Sequence, residues 1–253
     1  MKHKSDPSRF LTEATIQKVE HFARHHSGEN VQRTYAIGDI HGMANLLVSL
    51  LDFITTSQPK IVLPSRFVFL GDYVDRGQGS AQVIAIVRLL QELMPEEAVV
   101  ALKGNHEDMV LNVMSGHGGR IDHRTLDSFP LRHIPYDVVD WLADLPTSAE
   151  DELHYYVHAG LNPEYDIDDQ SDWDKIWIRQ EFLFCNKDFG KHILHGHTPY
   201  EEVQKEPFRT GIDTGAVFDG FLTAAEIKSD VSHPVSFFMV NGKGAYWDEY
   251  TSK

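Results

Sequence analysis

Cysteine is nearly absent from this sequence: Cys185 is the only one among 253 residues, so an internal disulfide is excluded. A chain without disulfides suits a reducing compartment, and we expect a cytoplasmic protein. No run approaches the roughly 18 apolar residues that a membrane-spanning helix needs. The two lysines of Met1–Phe10 are not followed by an apolar run either. We therefore expect neither a membrane anchor nor a signal peptide.

A basic patch is also missing. The chain has 23 Lys and Arg residues against 38 Asp and Glu, a formal net charge of −15. Proteins that bind duplex nucleic acid or anionic membranes usually present clustered basic residues, so we expect neither partner. The composition, 42% hydrophobic and 24% charged, is that of an ordinary globular protein. Its length suits a single domain over residues 1–253.

The pattern of apolar residues predicts an α/β chain in three parts. A helix is expected at about 10–27, and its histidines His21, His25 and His26 are expected on a solvated face. Strands and helices alternate in a core at about 33–200, and short, mostly antiparallel strands follow at about 207–248. The core strands are predicted at Arg33–Ile37, Phe67–Leu70, Ala98–Leu102, Leu153–Val157 and His192–Leu194.

A polar cluster follows each of these five strands. Sites in open α/β sheets form at the carboxyl ends of strands, so the clusters are expected to meet in one place. Carboxylate, imidazole and amide oxygen suit manganese, iron or zinc, and two such ions can activate water and clamp a phosphoryl group. The clusters are Gly38–Gly42, Gly71–Gly77, Gly104–Glu107, His158–Gly160 and His195–Thr198.

The order GDxHG, GDxVDRG, GNHE, HAG and GHT, from about Tyr35 to Thr198, resembles the signature of the PPP phosphoprotein phosphatases within the calcineurin-like metallophosphoesterases. This resemblance implies a four-layer α/β/β/α sandwich with mixed sheets. Eukaryotic members usually have His-Gly-Gly in place of His158–Gly160, and a Ser-Ala-Pro-Asn-Tyr segment that this chain lacks. Both departures resemble bacterial and phage members, and Trp177–Phe182 is similar to the Rhizobiales-like branch.

The resemblance also implies roles for individual residues. Asp39, His41 and Asp72 would bind one metal ion, and Asp72 would bridge to a second. Manganese is the expected metal, with iron or zinc as alternatives, and a bridging hydroxide would attack phosphorus. The second ion would be completed by Asn105, His158 and His197.

The remaining implied roles concern proton transfer and phosphate binding. His106 would be the general acid, oriented by Asp75. Arg76 would bind phosphate oxygens through its planar guanidinium, and Arg179 and Asn105 would also contact the substrate. Each of these five could instead be structural: His106 and Asn105 as turn residues, Asp75 and Arg76 as a surface ion pair, and Arg179 as a surface arginine on a helix.

Three features have no single interpretation. His195 is either a partner of the metal ligands or an ordinary buried histidine. Asp213 either orients a ligand histidine or forms a turn. The acidic run 166–174 is expected to be a solvated loop near the rim of the site, since it lacks the central Gly and terminal Glu of an EF-hand.

The leading functional hypothesis is hydrolysis of phosphomonoesters on Ser, Thr or Tyr of a phosphorylated protein or peptide. The first alternative is a diadenosine tetraphosphatase-like pyrophosphohydrolase, because loops rather than the metal core decide the substrate. The second is an inactive binding module on the same fold. Retention of all the metal-ligand positions argues against the inactive module.

Overall fold

The structure is a computed structural model that describes residues 6–28, 31, 33–57 and 63–250. Among these residues, none of the helices combines the length and the apolar content that crossing a bilayer requires. The α-helices are α1 Glu13–His26, α2 Ala44–Ser57, α3 Ser80–Leu93, α4 Asn105–Met114, α5 His123–Asp127, α6 Tyr136–Ala143, α7 Asp172–Trp177 and α8 Gln180–Leu183. Short 3-10 turns lie at Pro7–Phe10, Pro130–Arg132, Ile167–Asp169 and Ala216–Phe218.

The strands are β1 Arg33–Ile37, β2 Ser65–Phe69, β3 Val99–Ala101, β4 Ser148–Glu150, β5 His154–Val157, β6 His192–His195, β7 Gln204–Lys205, β8 Arg209–Gly211, β9 Asp213–Thr214, β10 Phe221–Lys228, β11 Ser236–Asn241 and β12 Gly244–Glu249. The five predicted core strands are present, as β1, β2, β3, β5 and β6, and differ from the prediction only at their ends, whereas β4 and β7 lie where no strand was predicted.

The strands form two mixed sheets. The first has the order β12-β11-β10-β1-β2-β3, with β9 paired to β10; β1, β2 and β3 are parallel and the rest antiparallel. The second has the order β4-β5-β6-β8-β7, in which β5, β6 and β8 are parallel. The predicted α/β fold with mixed sheets is confirmed.

The alternation of side chains along the strands divides the hydrophobic core into three regions, one on the helix side of each sheet and one between the two sheets. In β1, Tyr35 and Ile37 pack with the helices α1, α2 and α3, whereas Ala36 faces the second sheet. In β5, Tyr156 faces the first sheet, and its neighbour Tyr155 packs with Phe182 of α8. Because successive side chains of a strand point to opposite faces, each central strand is apolar on both sides, and the layers run helix, sheet, sheet, helix.

The N-terminal helix corrects one expectation. A 3-10 turn precedes it, and α1 begins after Thr12, whose side chain accepts a hydrogen bond from the backbone N of Thr15. His26 is buried rather than solvated, because its ring lies against Phe22 and its Nδ1 is 3.2 Å from Ser65 Oγ. Burial lowers the pKa of His26 to about 3, so this histidine is a neutral core residue.

Candidate metal centre

The loops after five strands meet at the edge that the two sheets share. Asp39 follows β1 and His197 follows β6, 158 residues further along the chain. The backbone N of His197 donates to both carboxylate oxygens of Asp39, at 3.1 and 3.2 Å. The packing of the two sheets therefore brings the first and the last motif into contact.

Three ligand atoms converge on the side of the second sheet. Asn105 Oδ1 lies 3.0 Å from His158 Nε2 and 2.9 Å from His197 Nδ1. The two histidine nitrogens are 3.1 Å apart. The three residues follow β3, β5 and β6, so each comes from a different strand. All three are buried, and the triangle of oxygen and nitrogen atoms is suited to one face of a metal ion.

Asp72 lies between this triangle and the first motif. Its Oδ1 is 3.5 Å from His158 Nε2, and its Oδ2 is 3.3 Å from His41 Nε2. The two oxygens of one carboxylate thus face different histidines. Asp39, Asp72 and His158 offer donor atoms within 4.8 Å of one another. This is the arrangement that a carboxylate bridging two ions requires.

The ligand histidines are held so that one nitrogen faces the cluster. His41 Nδ1 donates to the carbonyl oxygen of Val74 at 2.8 Å, and His158 Nδ1 donates to that of Leu70 at 2.9 Å. Each Nε2 therefore presents its lone pair to the centre. In metal sites, such a hydrogen bond from the other ring nitrogen fixes the orientation of the ligand histidine. Burial lowers the pKa of His41 to about 4, and it lowers the pKa of His158 as well. A lowered pKa favours the neutral ring, which metal ligation requires.

The carboxylates of the cluster concentrate negative charge in a buried place. Burial raises the pKa of Asp39 well above its usual range, and the charges of Asp213 and Asp72 raise it further. Burial would also raise the pKa of Asp72, but His158, His41 and His106 around it lower it. Divalent cations would neutralise this charge. The donor set fits a pair of divalent ions.

The backbone at the site is unusual. Nine described residues other than glycine have a positive φ, and five of them belong to the motifs. Such conformations are sparsely populated and cluster at functional sites. The strain is therefore concentrated where side chains have to be aimed at the centre. The five are His41, Asp72, Asp75, Arg76 and His197.

Glu107, to which the sequence analysis gave no role, holds this backbone. Its carboxylate is fully buried. One oxygen accepts from the backbone N of Asp72 and of Gly104, both at 2.8 Å, and the other from Tyr73 at 2.8 Å and Val74 at 3.3 Å. Glu107 is the third residue of α4, where a glutamate often reaches back to the residue before the helix. The spacing of three residues between Gly104 and Glu107 was the sequence pattern from which this role of Glu107 could have been predicted.

Gly104 shows how tightly these loops pack. A Cβ on Gly104 would lie 2.3 Å from Asp72 Oδ1 and 2.5 Å from Asp72 N. Neither distance is compatible with any side chain, so glycine is required for the loop after β3 to approach the Asp72 carboxylate. The GNHE motif therefore contributes a candidate ligand at Asn105, the carboxylate of Glu107 that holds the backbone, and a glycine that lets the loop approach Asp72.

His106 faces the centre from the other side. Its Nδ1 lies 2.7 Å from Asp75 Oδ2, and Asp75 Oδ1 accepts from Thr125 Oγ1 at 2.7 Å. Burial lowers the pKa of His106, but the hydrogen bond with Asp75 and the charge of Asp72 outweigh this, and the net shift is upward. The predicted His106–Asp75 pair is thus present. Thr125, 50 residues away in sequence, was not predicted.

The two predicted arginines lie beside different motifs of the centre. The Arg76 guanidinium contacts His41 Nε2 and lies over the Phe218 ring, 5.5 Å from its centroid. Arg179 donates to Thr198 Oγ1 at 3.2 Å. Thr198 directly follows His197, so Arg179 is close to the centre. Burial, His158 and then Arg179 lower the pKa of His197 to about 2.

The residues left open in the sequence occupy different places. His195 is buried, with its ring 5.1 Å from that of Phe182, between the second sheet and α8. Asp213 forms a turn bond, accepting from Gly215 N at 3.1 Å, and burial raises its pKa to about 6. The run 166–174 comprises a 3-10 turn and the start of α7. Its Trp173 lines a groove of about 500 Å³ beside Arg179.

A two-layered sheet core with paired Asp, His and Asn ligands at the strand ends defines a metal-dependent phosphoesterase. Residues 32–221 match the sequence model of the calcineurin-like phosphoesterases, and the chain belongs to this family. Its members use a dinuclear centre of divalent ions, which agrees with the donor set described above.

The relatives of the chain fall into two groups. It is 32% identical over 132 residues to the symmetrical bis(5'-nucleosyl)-tetraphosphatase of Janthinobacterium sp. (strain Marseille), an alignment that covers 52% of this chain and 45% of the relative. Over 231 residues it is 26% identical to serine/threonine-protein phosphatase 1 of Salmonella typhimurium, covering 84% of this chain and all of the relative. The chain thus spans about half the length of the tetraphosphatase.

A solved structure shows the same fold. The cold-active protein-tyrosine phosphatase of a psychrophilic Shewanella species matches with a TM-score of 0.65 and 16% identity, covering 98% of this chain and 86% of that one. At this identity the likeness concerns the fold alone.

Proposed function

We propose that this protein hydrolyses phosphoric esters at a centre of two divalent ions. The observation that carries the proposal is the position of Asp72, whose two oxygens face His41 and His158 at 3.3 and 3.5 Å. The ions would be held on one side by Asp39 and His41 and on the other by Asn105, His158 and His197. When bound, two such ions supply a nucleophile from water near neutral pH and neutralise the charge of the phosphoryl group.

The other residues act on the substrate. Arg76 lies against His41 and Arg179 against Thr198, and their planar guanidinium groups can hold phosphate oxygens. His106, held by Asp75 at 2.7 Å, donates a proton to the leaving oxygen. The raised pKa of His106 favours the protonated form that this role requires.

Two substrate classes suit this chemistry. A phosphorylated protein or peptide is supported by the match to the whole length of the Salmonella phosphatase. A dinucleoside polyphosphate is supported by the higher identity, over a shorter alignment, to the tetraphosphatase. Both place a phosphate between the two arginines, and they differ in what is attached to it.

The proposal is tested by metal removal and restoration. We expect hydrolysis of an aryl phosphate to disappear after exhaustive chelation and to return with Mn²⁺, because Asp, His and Asn together favour Mn²⁺, Fe²⁺ or Zn²⁺ over Mg²⁺. Full activity in the metal-free protein would contradict the proposal.

The substrate class is tested on the same manganese-loaded enzyme. Phosphoserine, phosphothreonine and phosphotyrosine peptides and diadenosine tetraphosphate are compared at equal concentration, with kcat/KM as the measure. Asp39→Asn serves as the inactive control, since this substitution removes a charged ligand and leaves the outer loops unchanged.

A further inference from the structure

The short helix α5 packs against the loop that carries Asp75. Thr125, the third residue of α5, is fully buried, and its hydroxyl group contacts Asp75 twice. Thr125 Oγ1 donates to Asp75 Oδ1 at 2.7 Å and accepts from the backbone N of Asp75 at 2.9 Å. One hydroxyl group thus holds both the side chain and the backbone of a residue that lies 50 positions earlier in the chain.

The chemistry of the groups fixes the direction of each hydrogen bond of Thr125. A hydroxyl group has one hydrogen to donate, and its oxygen can accept. The backbone N–H of Asp75 can only donate, so Thr125 Oγ1 accepts there and keeps its own hydrogen for the carboxylate. Ser80 Oγ lies 3.4 Å from Thr125 Oγ1; because the hydrogen of Thr125 is already used, Ser80 is the donor in that contact.

The contact with Thr125 decides how the Asp75 carboxylate is turned. The last torsion of an aspartate side chain is broad rather than confined to one staggered position, so the hydrogen bonds of the two oxygens set its orientation. Asp75 Oδ2 lies 2.7 Å from His106 Nδ1, and Thr125 is the one donor to Oδ1 among the residues that the structure describes. Without the hydroxyl group, this buried carboxylate loses the contact that turns Oδ2 towards His106.

The helix α5 is anchored at both ends. At its start, Asp122 accepts from Arg124 N at 2.8 Å. At its end, Ser128 Oγ donates to Thr125 O at 2.6 Å and accepts from Ala81 N, at the start of α3, at 3.1 Å. A helix of five residues is not stable by itself, so these contacts rather than helix propensity hold Thr125 in place.

We propose that Thr125 is a positioning residue of the reaction, whose hydroxyl group holds the Asp75 carboxylate in the orientation that keeps His106 aimed at the leaving oxygen of the substrate. The inference rests on the proposed function, since it takes His106 as the general acid. It adds a residue from outside the five motifs to the groups that serve proton transfer. It also requires the hydroxyl group of Thr125 rather than the shape of its side chain.

Two substitutions separate the hydroxyl group from the shape. Thr125→Val keeps the branching and removes the hydroxyl, whereas Thr125→Ser keeps the hydroxyl and removes the methyl. If Thr125 positions the acid, the valine variant is impaired and the serine variant is not; if Thr125 only fills space, the order is reversed. Thr125→Ala replaces the valine variant if the latter does not fold. Thr55→Val is the control, since Thr55 is buried in α2 and its hydroxyl donates to Leu51 O at 2.9 Å.

The first measurement is kcat of the manganese-loaded enzyme for two aryl phosphates. Phenyl phosphate has a more basic leaving oxygen than para-nitrophenyl phosphate and depends more on the acid. We expect Thr125→Val to lower kcat for phenyl phosphate by about 10- to 100-fold, since a displacement of about 1 Å can cost about 10²-fold. The loss should be smaller for para-nitrophenyl phosphate, with metal per chain unchanged. An equal loss with both esters, or an equal loss in Thr125→Ser, would overturn the proposal.

A double variant tests whether Thr125 acts through His106. In His106→Asn no acid remains to be positioned, and groups that act as one unit have non-additive effects, so we expect Thr125→Val to change kcat by less than about twofold in that background. A further loss as large as the one in the unchanged protein would show that Thr125 acts independently of His106, and the assignment would be wrong.

The last measurement needs no turnover. The proton between His106 Nδ1 and Asp75 Oδ2 is followed by NMR in the zinc-loaded protein, because Zn²⁺ has no unpaired electrons, and is assigned by its disappearance in His106→Asn. We expect its resonance to persist unchanged in Thr125→Ser and Thr55→Val and to shift or broaden in Thr125→Val, where the acceptor is no longer held. A change confined to Thr125→Val supports the inference even if no hydrolysis is found. An unchanged resonance in Thr125→Val refutes it even if the enzyme is active.

Discussion

Replacing His106 by asparagine separates two roles that its position allows. His106 Nδ1 is held by Asp75 at 2.7 Å, while Nε2 lies 4.0 Å from Asp72 Oδ2. The donor atoms of His41, Asp72 and His106 lie close enough together to hold an ion. If His106 is the general acid, His106→Asn leaves both ions in place and slows proton transfer. If it is a ligand, the variant loses metal.

The expected magnitude follows from the acid role. General acid catalysis contributes about 10²–10⁴-fold, or roughly 3–5 kcal/mol of transition-state stabilisation. We expect kcat to fall by that factor with phosphoserine, whose leaving oxygen must be protonated. The loss should be smaller with an aryl phosphate, whose leaving group needs little protonation. The backbone N of His106, which donates to Asp72 Oδ1 at 3.1 Å, is retained in the variant.

The assay combines kcat for both substrates with metal content per chain, measured by elemental analysis. His21→Asn, at an exposed position of α1, controls for the loss of an imidazole elsewhere. A drop in metal content for His106→Asn, or an equal loss of kcat with both leaving groups, would refute the assignment of His106 as the acid.

Three further substitutions probe the bridge, the acid and the stability of the second sheet. Asp72→Asn removes a bridging anion, so we expect metal per chain itself to fall, and unchanged metal content would contradict the bridge. Asp75→Asn removes the negative charge of the acceptor that helps to raise the pKa of His106; the acid is active below its pKa, so the basic limb of the kcat profile should move to lower pH, whereas an unmoved limb would point to another acid. Burial would raise the pKa of Asp151, but hydrogen bonds from His154 and Tyr156 lower it to about 2. A lowered pKa stabilises the fold at neutral pH, and this stability is lost as pH falls from about 4 towards 2. Because Asp151 is partly exposed, we expect Asp151→Asn to lower the free energy of unfolding by only about 1 kcal/mol at pH 7, which corresponds to about 2–4 °C in melting temperature. The difference in melting temperature from the unchanged protein should shrink in acid. A difference that is independent of pH would contradict this.

The strands that carry the site could be predicted because their signal is local. Each central strand lies between two apolar layers, so its residues form a continuous apolar run, as in Phe67–Phe69 and Tyr155–Val157. A glycine and a cluster of polar residues mark the end of each strand. The same reasoning did not find β7 and β9, which have two residues each and owe their pairing to neighbours far along the chain.

The candidate ligands were predictable by type, but their supporting partners were not. Thr125 donates to Asp75 across 50 residues, and Asp122 accepts from Arg76 N across 46. Neither pair leaves a periodic pattern, because a single hydrogen bond between distant loops constrains only two positions. His26 was misjudged for a related reason: its spacing suggested a solvated face, and only the approach of Ser65 from β2 makes its position part of the core.

The conformation of the loop 72–76 explains why these distant partners are needed. Asp72, Asp75 and Arg76 all have positive φ, a conformation that costs on the order of 1–3 kcal/mol per residue and persists only where the surroundings impose it. The buried carboxylate of Glu107 accepts from four backbone N–H groups around Asp72, and Asp122 and Thr125 hold the other end. The carboxylate that faces both histidine groups is thus aimed by its backbone, with one further hydrogen bond from His106 N to Asp72 Oδ1 at 3.1 Å. It follows that Glu107 is a positioning residue, through which the α4 helix fixes the geometry of the metal centre.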